Sequence, residues 1–163
     1  MEKDLRNKEI RMNIILILSS ILLVILYFII DFNSIYQSFK KDINYVIQDE
    51  NCDLKNSSCK IVLENGTELI LDIEPKNIPL MNNLTFVLTS NKKDLENISL
   101  NIYSTTMNMG EINTLFHNIG DGYYSLKTML PACVYDKMDW NADIKIEENN
   151  KILGARFYFE TRN

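Results

Sequence analysis

Four sulfur-bearing side chains in two short segments carry the most unusual chemistry in this sequence. Residues 105–110 read TTMNMG, and residues 130–140 read LPACVYDKMDW. In an extended conformation Met107 and Met109 leave the backbone on the same face, because side chains alternate with a period of two. Thioethers are soft donors that suit Cu(I) better than zinc, magnesium or calcium. Cys133 adds a thiol and Met138 a further thioether, so Met107, Met109, Cys133 and Met138 form a candidate soft-metal set. Each has a plainer reading beside it. Methionine also fills irregular gaps in cores, and a single cysteine is most often a buried, unreactive residue.

Other chemistry finds less support. His117 is the one histidine in the chain, which excludes a histidine-rich zinc or Cu(II) site and leaves His117 as a ligand or as an ordinary strand-face residue. No GxSxG, HExxH, CxxC or glycine-rich phosphate loop is present, so the chain is not expected to be an enzyme. Residues 31–163 hold 13 basic and 19 acidic residues, a net charge of −6. That balance argues against nucleic acid and against an anionic lipid surface, while leaving room for a cationic ligand or a basic partner. Cys52 and Cys59 bracket the eight-residue run CDLKNSSC and are spaced to form a disulfide, which presupposes an oxidising compartment.

Residues 14–30 read IILILSSILLVILYFII, uncharged throughout. With Met12 and Asn13 they approach the roughly 20 helical residues needed to cross about 30 Å of hydrocarbon. Lys3, Arg6, Lys8 and Arg11 precede this segment, and Asp31 follows it. The positive-inside rule then gives a cytoplasmic N-terminus over 1–11, a transmembrane helix over 12–30, a stalk over 31–51 and an exported domain over 52–163. The segment lacks a small-x-small cleavage site. In the stalk, Phe32, Ile35, Tyr36 and Phe39 recur at helical spacing.

From Cys59 onward the period changes to two. KIVLE and TELILDIE flank Asn65-Gly66, a dipeptide that favours the positive φ of a tight hairpin. Further strands are expected over 84–89, 98–104, 112–118, 123–130, 140–147 and 152–160, joined mostly by short turns. The expected fold class is all-β: an immunoglobulin-like antiparallel β-sandwich of about seven strands behind one N-terminal transmembrane helix.

On these residues the chain resembles the FixH and YtkA-like group of small, membrane-anchored bacterial proteins. Met107, Met109 and Gly110 match that group's methionine-rich turn. Gly120, Gly122 and Tyr123 or Tyr124 match its hairpin strand, and Trp140 matches the tryptophan opening a later strand. A closer likeness is to an uncharacterised proteobacterial group. Its Cys-x6-Cys, IEPxxIPL, MNMG and LPxC…MxW segments are matched here at Cys52 and Cys59, residues 73–80, residues 107–110, and Leu130, Pro131, Cys133, Met138 and Trp140. The FixH-like resemblance implies a protein of the bacterial inner membrane with its C-terminal domain in the periplasm. It further implies an accessory factor that binds copper, as Cu(I), for assembly of a respiratory oxidase, partnering oxidase subunits or copper-handling proteins. The alternative is a metal-free structural or interaction module that docks on a membrane protein complex.

Overall fold

The computed structural model describes residues 14–20, 43–148 and 151–162. Two compact units are present, Met1–Asp42 and Ile43–Asn163. In the first, residues 14–20 are helical, with Ser19 Oγ donating to the Leu16 carbonyl (2.9 Å) and Ser20 Oγ to that of Ile17 (2.8 Å). Among the described residues no helix is long and apolar enough to cross a membrane. The expected span over 12–30 is corrected accordingly: only 14–20 is described, and its other residues lie outside the described ones. The single-pass inner-membrane placement, with its periplasmic domain, is corrected with it. The stalk's Phe32, Ile35, Tyr36 and Phe39 also lie outside the described residues.

The second unit is a two-sheet β domain with ten strands among its described residues. They are β1 (Tyr45–Ile47), β2 (Cys59–Val62), β3 (Glu68–Glu74), β4 (Asn83–Ser90) and β5 (Ser99–Ser104). Then come β6 (Glu111–Leu115), β7 (His117–Gly120), β8 (Tyr123–Met129), β9 (Lys137–Glu148) and β10 (Lys151–Arg162). One sheet has the order β1-β10-β9-β5-β6, the other β2-β3-β4-β8-β7. Alternation dictates what each buries: Leu69, Leu71 and Ile73 of β3, Leu84, Phe86 and Leu88 of β4, and Trp140, Ala142 and Ile144 of β9 all face the core. Removing a side chain of that size from water contributes about 1.5–3 kcal/mol. Phe86 meets Phe159 edge-on across the two sheets, with centroids 6.3 Å apart. Trp140 stacks on Phe159, and its indole N–H donates to Thr161 Oγ1 at 2.9 Å, so its polar atom is satisfied inside the core.

Three departures from the expected sandwich have local causes. The stretch expected as one strand over 112–118 divides at Phe116. β6 pairs with β5 in one sheet and β7 with β8 in the other. Phe116 turns its ring inward at the switch, and its N–H donates to the Ile98 carbonyl (2.9 Å). The segment assigned to a stalk enters the domain: β1 lies parallel to β10, so the sandwich begins at Ile43 and is not wholly antiparallel. Among the described residues ten strands in two sheets stand where an immunoglobulin-like sandwich of about seven was expected.

Gly154 explains why β1 can dock there. A Cβ at that position would stand 2.7 Å from Ile43 Cγ2 and 2.7 Å from the Tyr45 ring, so only glycine lets both side chains lie flat on β10. The Arg156 guanidinium stacks 4.5 Å from the centre of the Tyr45 ring. Its Nε and Nη2 donate to the two oxygens of Asp143, at 2.7 and 2.8 Å. Asp143 is 3% exposed, so this fork supplies the positive charge that its burial requires.

Candidate functional site

The strand register puts four connections at one end of the domain. Asn83 pairs with Met129, Tyr103 with Glu111 and Lys137 with Arg162, so segments 75–82, 105–110 and 130–136 open side by side. The segment 49–58, closed by the Cys52–Cys59 disulfide with Cα atoms 5.8 Å apart, joins them where β2 begins.

The 105–110 loop is folded back rather than extended. Ser104 Oγ accepts from the backbone N–H of Thr106 (3.2 Å) and of Met107 (3.4 Å). Thr105 N–H donates to the Asp139 carbonyl at 2.9 Å, and Asp139 N–H donates to Thr106 Oγ1 at 2.9 Å. Asn108 Oδ1 takes the Gly110 N–H, and Gly110 adopts φ 83°, a value that suits glycine. The loop is thereby tied to the start of β9. Met107 is exposed, whereas Met109 is half-buried and packs on the core.

The four predicted sulfurs divide between surface and core. Cys133 Sγ lies 3.5 Å from Met107 Sδ, so these two are brought together. Met138 is 1% exposed because β9 begins at Lys137, and alternation then turns position 138 inward with Trp140. Among the described residues no group of three or more His, Cys, Asp or Glu side chains is placed to hold a metal ion. On that finding the copper-handling role in oxidase assembly is corrected. His117 opens the exposed edge strand β7 opposite Ser125, as a strand-face residue.

What converges at this end is apolar surface. Val134 is 89% exposed and Tyr135 52%; Met81 and Met107 are exposed on the neighbouring connections, and Met129 is exposed at the end of β8. Met81 is held at φ 56°, with its N–H donating to the Leu130 carbonyl at 2.9 Å, which fixes 75–82 against 130–136.

Beside this surface runs a groove of about 520 Å³ that the sequence reading did not anticipate. Its floor is the outer side of β9 and β10, with Asp139, Asn141, Tyr158 and Glu160, and the 49–58 segment contributes Glu50 and Asp53 to its wall. Gln48 holds that wall in place: its side-chain amide donates to the carbonyls of Cys52 (2.7 Å) and Tyr158 (3.3 Å). Lys137 (2.9 Å) and Arg162 (2.6 Å) bond Glu160 and hold its carboxyl down at about 2. The Tyr158 phenol is pushed up by burial and by the charges of Glu50 and Asp49. The acidic run at Asp49, Glu50 and Asp53 around Cys52 was the available sequence signal. Its meaning depended on β1 bringing that run alongside β10.

No protein-family model matches the chain, and no curated protein and no solved structure matches it.

Proposed function

We propose that the β domain is a metal-free interaction module that docks on another protein through the loop-bearing end of its sandwich. The observation that carries this reading is the exposed set Val134, Tyr135, Met81, Met107 and Met129, drawn from three adjoining connections and the end of β8. Contiguous exposed apolar side chains mark association surfaces, and methionine's flexible thioether lets such a surface adapt to a partner. The disulfide, the Ser104 bonds and the Met81–Leu130 bond support the same reading. They hold the loops in one arrangement before any partner arrives, which lowers the ordering cost of binding. The module performs no chemistry of its own.

A photo-activatable residue in place of Val134, in the full chain and in its native cell, should trap one defined protein. The same residue in place of exposed Lys60, on β2, should not. Equal trapping at both positions, or none at 134, overturns the reading.

A further inference from the structure

The groove beside the apolar end is lined by four carboxylates, Glu50, Asp53, Asp139 and Glu160, and by one ammonium, Lys55, which lies 3.9 Å from Glu160. Among the described residues, neither Glu50 nor Asp53 forms a salt bridge. Asp53 instead accepts from the Lys55 backbone N–H (2.9 Å) and from the Asn56 side-chain amide (2.7 Å), both neutral donors. Across the floor, Asn141 adds a side-chain carbonyl and Tyr158 adds a ring and a phenol oxygen. The same sheet face shows what such a set accepts. Two residues along β10 from Tyr158, Arg156 is gripped by a carboxylate through two bonds while its guanidinium lies on a tyrosine ring. The groove repeats the carboxylate and tyrosine parts of that arrangement, with Glu50 and Asp53 left for a cation from elsewhere. Its volume greatly exceeds that of one ion, and its wall is braced by Gln48 and the disulfide.

We infer that this groove receives an arginine-bearing segment of the docked partner, with Glu50 as the principal carboxylate and Tyr158 as the stacking surface. The inference rests on the docking reading above and adds the chemistry of the partner. Guanidinium is favoured over ammonium because its planar fork can bond two acceptors and lie on an aromatic face together, and because it is more weakly hydrated. Glu50 lies at the surface, so the contact is salt-sensitive.

The probe is a fluorescein-labelled tetra-arginine amide, titrated by anisotropy against the full chain. Saturable binding should weaken as salt rises and should exceed that of tetra-lysine. Glu50→Gln should weaken it about three- to fivefold, and Glu50→Lys about tenfold or more. Glu64→Gln, at an exposed carboxylate next to the Asn65-Gly66 turn, should leave it unchanged. Circular dichroism of each variant checks that folding is intact. Absence of saturable binding, or equal binding by wild type and both Glu50 variants, overturns the inference. A partner trapped at 134 without peptide binding removes the groove's role alone. Peptide binding with no trapped partner removes the docking reading, and with it a partner as the source of the arginine.

Discussion

Asp143 and Glu50 both border the outer side of the β1-β10-β9-β5-β6 sheet, and they live in opposite electrostatic circumstances. Asp143 is buried, gripped by Arg156 through two charge-assisted bonds and roofed by Tyr45. Glu50 stands at the wall of an open groove, and among the described residues no cation bridges it. A carboxylate matched from within the chain holds β1 on β10, whereas one left unmatched at an exposed wall contributes little to stability and is available for recognition. The apolar residues divide the same way: Met138 serves the core, while Met107 and Val134 face outward.

The largest expected effect breaks the matched side of this comparison. Arg156→Met strands a buried carboxylate and should cost about 3 kcal/mol in urea unfolding of the full chain. Glu50→Gln should stay within about 0.5 kcal/mol of wild type. Equal effects would erase the distinction between the two carboxylates. Next in size, Gly154→Ala forces a methyl into Ile43 and Tyr45 and should cost about 2 kcal/mol. Hydrogen exchange should quicken at Tyr45–Ile47 while the β3–β4 pairing keeps its protection; unchanged exchange at β1 would show that glycine is not what admits that strand.

The smallest effect is a pH dependence. Burial first, and then the Asp143 carboxylate, push the Tyr45 phenol from 10.0 up to about 12. Between those values the unfolded chain loses the proton and the folded chain keeps it. This contribution to stability is therefore fully present below about pH 10 and is lost as pH rises through 12. Tyr45→Phe should flatten the alkaline limb of a stability profile over that window. An unchanged slope would mean that Tyr45 is not the group responsible.

Much of the sandwich is legible residue by residue. The alternation of Leu69, Leu71 and Ile73 is a strand with one buried face, and the Asn65-Gly66 hairpin appears with Gly66 at φ 78°. Cys52 and Cys59, seven residues apart, were near enough in sequence for their pairing to be inferred. The candidate site was legible only in part. The segments 105–110 and 130–140 do adjoin, and Met107 does meet Cys133. The pattern of types did not reveal that Ser104 would fold the loop back, or that a strand starting at Lys137 would send Met138 inward. Soft-donor chemistry named four positions, yet whether side chains form one donor set depends on where the fold points them.

The sequence by itself determined the strand-rich class, the hairpin, the disulfide and the residues of the inner face, because each follows from local φ preferences, from a period of two or from closeness along the chain. Tertiary structure alone decided that Phe116 switches sheets, that Gly154 admits Tyr45, and that Asp49, Glu50 and Asp53 come to lie against Tyr158. Residues 49–53 and Tyr158 are separated by more than a hundred positions, and only the parallel pairing of β1 with β10 brings them together. That pairing rests on a missing Cβ and a buried ion pair, neither of which leaves a periodic trace in the chain.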